Sequence, residues 1–158
     1  MIPMKHNFIE LYKVDKTICN NLITYFKKNK EYKHLGKVDG NVVNKKIKDS
    51  TDVHFYNNST NKFIIKFFKD LSKHVQSYIN KYKMIDPLVT HVCNNIQHYK
   101  PGAGYPHGHY ERGVGFMAPR QLVYMLYLNT VTDKGETVFP YQEVKTLAVK
   151  GNLVIWPA

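Results

Sequence analysis

Three histidines and a carboxylate fall within one short segment, Gln97-His-Tyr-Lys-Pro-Gly-Ala-Gly-Tyr-Pro-His-Gly-His-Tyr-Glu-Arg112. His98, His107 and His109 offer imidazole nitrogens and Glu111 a carboxylate oxygen, the donor types of a transition-metal site. On a strand, side chains at i and i+2 leave the same face. His109 and Glu111 are therefore expected to address one ion, with Tyr110 turned away. Two histidines and a carboxylate on one face of a metal leave positions open, as in non-heme Fe(II) oxygenases. The same donors suit Zn, Mn or Ni, so spacing alone does not name the metal, and a lone His-x-Glu pair also describes an ordinary hydrogen-bonded surface pair. His107 is the rival partner for His109, although Pro106 and Gly108 interrupt a regular strand there. His91 and His98 read as strand residues rather than ligands.

The elements that must position this segment change character near Pro87. Before it the pattern is helical. Asp15 is placed as an N-cap, and Ile18, Leu22, Ile23 and Phe26 return on one face until Lys27, Lys28 and Lys30 close the helix. Residues 33 to 58 are polar, contain Gly36, Gly40 and Lys48-Asp-Ser-Thr-Asp52, and read as a loop with one short strand. Ser59 or Thr60 is expected to cap a second helix, in which Ile64, Phe67, Phe68, Leu71, Val75, Tyr78, Ile79 and Tyr82 form a broad apolar stripe.

After Pro87 the period shortens to strands, read over 89–99, 121–129, 137–139, 146–149 and 152–156, with Gly, Pro, Asn and Asp turns between them. Helices first and strands afterwards predict an α+β fold. Residues 1–88 would form a mainly helical support region and 89–158 a jelly-roll core, together one domain.

Composition narrows the classes. A chain of 158 residues with 43% hydrophobic content is sized for one core. Its longest apolar runs fall far short of the roughly 20 residues of a membrane span. The first residues, Met1-Ile-Pro-Met-Lys-His-Asn7, lack the apolar core of a secretory signal, so the expected location is cytoplasmic. Cys19 and Cys93 are read as small core residues, with no disulfide framework.

The net charge of +11 raises the question of a nucleic-acid partner. Residues 1–100 hold 18 basic and 8 acidic residues, whereas 101–158 hold 5 and 4, so the segment with the chemical motifs is nearly neutral. The excess is lysine scattered among Asn, Ile and Tyr, without a nucleic-acid-reading motif.

The run Tyr99-Lys-Pro-Gly-Ala-Gly-Tyr105 followed by His109-Tyr-Glu111 resembles that of prolyl-4-hydroxylase-like Fe(II)- and 2-oxoglutarate-dependent dioxygenases, in particular small viral or phage members. Three further motifs follow in the family's order. They are Arg120 with the apolar strand ending Tyr127-Leu-Asn129, the Gly135-Glu-Thr-Val-Phe-Pro140 element, and Lys150-Gly-Asn-Leu-Val-Ile-Trp156.

The resemblance implies N-terminal helices packed on a double-stranded β-helix, His109 and Glu111 as iron ligands, Tyr127 on the distal carboxylate of 2-oxoglutarate, and Tyr99 lining the same pocket. It implies Fe(II), 2-oxoglutarate and ascorbate as cofactors. It also implies a peptide or protein substrate, with proline as the default target, and decarboxylation of 2-oxoglutarate to succinate coupled to hydroxylation.

The family more often has Asp where Glu111 stands, and one residue fewer between the second Tyr and the His. In the family a distal His and then an Arg or Lys follow the last of these strands. No histidine follows His109 here, so the expectation is a C-terminally incomplete domain with little activity on its own. The competing readings are a non-catalytic jelly-roll binding module and an oxygenase directed at nucleic acid. Oligomeric state is not legible.

Overall fold

The structure, a computed structural model, describes residues 7–38, 41–83 and 93–158. Pro87, His91 and the start of the strand expected from residue 89 lie outside the described residues, as do the first six residues. Among the described residues, two α-helices and eight strands, the strands arranged in three small sheets, form a mixed helix-and-strand fold. Among the described residues no sheet closes into a barrel.

The helices follow the sequence pattern closely. Helix α1 spans Lys16–Lys28. Its cap is Asp15, whose carboxylate accepts the Thr17 N–H at 2.6 Å and satisfies a donor that the first turn cannot pair internally. Ile18, Cys19 and Leu22 are buried, and Lys27 and Lys28 sit in the last turn, where cations complement the helix dipole. Helix α2 spans Lys62–Lys81, and its stripe buries Ile64, Phe67, Leu71 and Tyr78. Its cap is Asn61, accepting from the Phe63 N–H at 2.9 Å, rather than Ser59 or Thr60; the Ser59 hydroxyl instead accepts the Asn61 N–H. Neither helix is long and apolar enough to cross a membrane.

The simple order of helices followed by strands is not observed. Strand β1, Glu10–Lys13, precedes α1, while β2, His34–Leu35, and β3, Thr51–Tyr56, lie between the helices. The remaining strands are β4, Cys93–His98; β5, Leu122–Leu126; β6, Thr137–Phe139; β7, Val144–Thr146; and β8, Asn152–Pro157. Thus β7 lies two residues earlier than the sequence placed it, and the expected polar loop of 33–58 contains a six-residue central strand. The one short strand expected in that segment is thus two, β2 and β3; Val53 and Phe55 of β3 are buried, and Asp52 and His54 lie on its other face.

The sheets are β1-β8-β5, β2-β3-β4 and the hairpin β6-β7, all antiparallel. β8 is the middle strand of its sheet, which explains why Leu153, Val154 and Ile155 are all buried rather than alternating. The core joins Ile18 and Leu22 of α1, Ile64, Phe67 and Leu71 of α2, Phe55 of β3, Ile96 of β4, and Leu153 and Ile155 of β8. Helices therefore cover one face of β3 and β4. The opposite face carries Asp52, His54, Asn95 and Gln97, polar residues paired across the strands as Asp52 with Gln97 and His54 with Asn95.

Candidate metal centre

His109 and Glu111 meet, but not by the strand geometry that the sequence suggested. Residues 109–111 have no strand hydrogen bonds and follow a bend at His107. The expectation of a regular i, i+2 strand pair is corrected, since Pro106 and Gly108 leave the ladder without a regular backbone. A local hydrogen bond turns the imidazole instead: His109 Nδ1 lies 2.9 Å from the His107 carbonyl oxygen. His107 thus contributes its backbone, and its ring is not paired with that of His109. Tyr110 points outward, 82% exposed.

The orientation has a chemical consequence. Donation from Nδ1–H to the His107 carbonyl assigns the Nε2 position to the lone pair in a neutral ring. Nε2 faces Glu111 Oε1 at 3.3 Å, so two acceptors converge. A proton on Nε2 or a bound cation is what reconciles them. Without a metal, the His109 hydrogen bond, then the charges of Arg120 and Lys48, hold the Glu111 carboxyl below the usual carboxylate range against its burial. With a metal, one imidazole nitrogen and one carboxylate oxygen face the same point, and the ring's other nitrogen is already held by a carbonyl, the outer partner that ligating histidines usually have. The donor set fits a divalent transition metal. Among the described residues no third His, Cys, Asp or Glu joins the pair.

Two neighbours fix the pair. The Tyr105 ring stacks on the His109 ring, with centroids 4.3 Å apart and planes 13° from parallel. Arg120 donates from one guanidinium nitrogen to the Glu111 carbonyl at 3.1 Å and to its second carboxylate oxygen, Oε2, at 3.3 Å. Glu111 therefore keeps Oε1 toward His109 and Oε2 toward Arg120. The sequence marked Arg120 only as the start of a motif; its role as holder of Glu111 needed the fold.

Tyr99 leaves the end of β4 half-buried, with its hydroxyl donating to Gln97 Oε1 at 2.8 Å. Burial, followed by the Asp52 charge, pushes its phenol up to about 12, and Glu111 and Tyr105 contribute in the same direction. Glu111 is the smallest of these influences on the Tyr99 phenol. Tyr127, just beyond β5, sits in a different set of contacts. Its hydroxyl accepts the Thr137 N–H at 3.0 Å and has the Thr137 hydroxyl at 2.8 Å and the Thr146 carbonyl at 3.0 Å as acceptors. It ties β5 to the β6-β7 hairpin, and none of these contacts reaches Tyr99, His109 or Glu111.

The sequence also understated Lys48-Asp-Ser-Thr-Asp52. Lys48 Nζ pairs with Asp52 Oδ2 at 3.0 Å, with side chains only 7% and 2% exposed. Ser50 donates to Asp52 Oδ1 at 2.7 Å and Asn95 to Oδ2 at 2.9 Å. No periodic signal marks these residues, since all five positions from Lys48 to Asp52 are polar and only the last two lie in β3.

No protein-family model matches the chain, and no curated protein matches its sequence. Solved structures do match. The viral collagen prolyl hydroxylase of Paramecium bursaria Chlorella virus-1, solved as its 2OG complex, superposes with a TM-score of 0.69 at 21% identity, covering 99% of this chain and 81% of that one. A prolyl-4-hydroxylase of Pseudomonas putida superposes with a TM-score of 0.67 at 15% identity, covering 95% and 80%. Matched over 99% and 95% of its length, the chain has the fold of a prolyl-4-hydroxylase-like 2-oxoglutarate oxygenase.

Proposed function

We propose that this chain carries the His109–Glu111 part of the metal centre of an Fe(II)- and 2-oxoglutarate-dependent dioxygenase that hydroxylates a side chain of a peptide, with proline the first target to test and little turnover from the pair alone, since no third His, Cys, Asp or Glu joins it among the described residues. The observation that carries the proposal is the convergence of His109 Nε2 and Glu111 Oε1 at 3.3 Å with the His109 Nδ1 already engaged. The fold likeness supports it, and the three sheets correspond in this reading to portions of a jelly roll whose mouth holds the metal.

Each residue has a distinct task. His109 and Glu111 hold the metal. Tyr105 limits rotation of the imidazole, and Arg120 keeps Glu111 from turning Oε2 inward. Tyr99, kept protonated by burial, offers a neutral hydroxyl to an anionic co-substrate, a donor that does not add negative charge beside Glu111. Tyr127 would offer its hydroxyl to the distal carboxylate of 2-oxoglutarate, releasing the Thr146 carbonyl that it now bonds. When bound, Fe(II) and 2-oxoglutarate supply the oxidative decarboxylation chemistry that turns O2 into a hydroxylating oxidant, and ascorbate serves to keep the iron reduced.

The test is anaerobic addition of Fe(II) and 2-oxoglutarate, followed through the visible charge-transfer band of the chelate. The band is expected with the parent chain and is expected to vanish in His109→Ala. A parent chain without the band, or a His109→Ala variant that retains it, overturns the assignment.

A further inference from the structure

On the polar face of β2, β3 and β4 lies a cleft of about 380 Å³, lined in part by His34, Lys37, Lys48, Asp52, His54 and Asn95. Its floor is built firmly. Lys48 and Asp52 are buried and mutually paired, and Ser50 and Asn95 complete the carboxylate's hydrogen bonds. Gly36 lets the segment after β2 lie directly on this floor: its N–H bonds the Ser50 carbonyl at 2.9 Å, and a Cβ there would fall 2.1 Å from the Ser50 hydroxyl. The rim is then His34, Lys37 and His54, with the two imidazoles in edge contact at 4.4 Å between centroids.

The charge balance of the cleft is uneven. Asp52 is matched by Lys48, whereas Lys37 is exposed and has no carboxylate partner among the described residues. Of the two rim imidazoles, His34 already has Nδ1 against the Tyr32 carbonyl at 3.3 Å, whereas His54, whose charged form is disfavoured by burial and then by His34, keeps one N–H to offer as a neutral ring. The cleft also adjoins the candidate metal centre. The Asp49 N–H bonds the Gly104 carbonyl at 3.1 Å, within the loop that leads to His109, and Tyr99 and Glu111 respond to the charges of Asp52 and Lys48 respectively.

We propose that this cleft is a specificity subsite that accepts a carboxylate side chain, Asp or Glu, of the peptide substrate, placed near the residue to be hydroxylated. The proposal rests on the peptide-hydroxylase reading for the identity of the occupant. A carboxylate suits the site better than a phosphoryl dianion, because the Asp52 carboxylate on the floor repels a second negative charge more strongly than the first. Lys37 supplies the charge and the His54 N–H a directional donor, while His34, with Nδ1 against the Tyr32 carbonyl, packs on the edge of His54 and orients it. Lys48 remains with Asp52 as a fixed wall.

The experiment reads binding, so it is independent of turnover. Two fluorescein-labelled decapeptides, one alternating Pro and Glu and the other Pro and Gln, are titrated with the full chain by anisotropy at roughly 0.15 M salt, where exposed charges more than about 8 Å apart are screened. The acidic peptide is expected to bind at least tenfold more tightly. That preference is expected to shrink below threefold in Lys37→Ala and in His54→Ala, both exposed positions, and to invert in Lys37→Glu. It is expected to persist in Lys66→Ala/Lys69→Ala, which removes exposed lysines of α2, and in His109→Ala. Equal or absent binding of the two peptides, a preference that survives the Lys37 and His54 changes, or one removed by the α2 changes overturns the subsite. Loss of the charge-transfer band with the preference intact counts against the dioxygenase reading alone.

Discussion

The Tyr105 ring lies nearly parallel to that of His109, 4.3 Å from centroid to centroid, while the edge of the same imidazole is tied to the His107 carbonyl. The ring is therefore held on its face and on one nitrogen, leaving Nε2 as the atom presented to Glu111.

If that restraint positions a metal ligand, Tyr105→Ala should weaken metal binding by about 10-fold, the low end of the effect of removing an outer-shell partner. Tyr105→Phe, which keeps the stack, should restore it. Anaerobic calorimetric titration with Fe(II) measures both, and equal affinities in parent and Tyr105→Ala would remove the role.

The buried pair of Lys48 and Asp52 predicts an asymmetric response to substitution. Lys48→Met leaves a buried carboxylate without its cation and should cost about 3–5 kcal/mol, whereas Lys48→Met/Asp52→Leu, which removes both charges, should recover most of that loss. Urea denaturation of the three proteins decides it. A double variant as unstable as the single one would show that packing, not charge, dominates this site.

Gly151 carries another prediction. Its φ is +89°, and a Cβ would lie 2.7 Å from the Val14 carbonyl oxygen, where the Gly151 carbonyl also accepts the Val14 N–H at 2.8 Å. Gly151→Ala should destabilise by about 1–3 kcal/mol, which in a chain of this size lowers Tm by about 2–4 °C for each kcal/mol. Thermal melts followed by circular dichroism provide the check.

Alkaline stability follows from the tyrosines. Burial pushes the Tyr99 phenol up to about 12, and burial together with the hydrogen bond to Glu10 does the same for Tyr82. Burial also raises Tyr78 and Tyr124. In the unfolded chain these phenols release their protons near pH 10. The folded form keeps them, so the stability they contribute is complete below about pH 10 and is lost as pH rises toward 12. The urea midpoint should fall across this window, and ultraviolet titration should find a group of phenols that ionise only with unfolding.

Both helices were legible in the sequence because their signals are local. Asp15 caps α1 as its position before an apolar period demands, and the stripe from Ile64 to Tyr78 specifies the buried face of α2. The segment 33–58 was misread for the opposite reason. β3 does alternate at Val53, His54 and Phe55, but Asp52 is buried by Lys48, Ser50 and Asn95, partners up to 43 residues away that a short stretch of sequence does not reveal. β1 is only four residues long and exposes Leu11, which leaves almost no pattern to read. At the candidate metal centre the residues His109 and Glu111 were legible, whereas their geometry was not: the backbone turn at His107, the Tyr105 stack and the Arg120 clamp are all products of the fold.

The central place of β8 also bears on how the chain reaches its native state. β8 pairs with β1 in the register Glu10 to Ile155, so the two strands are joined across a separation of 155 − 10 = 145 residues. Until residues 152–157 leave the ribosome, β1 and β5 each lack their hydrogen-bonding partner, and both helices lack Leu153 and Ile155 from their shared core. Such long-range closure makes folding slow for this sheet, whereas α1 and α2, which pack on each other, can associate much earlier.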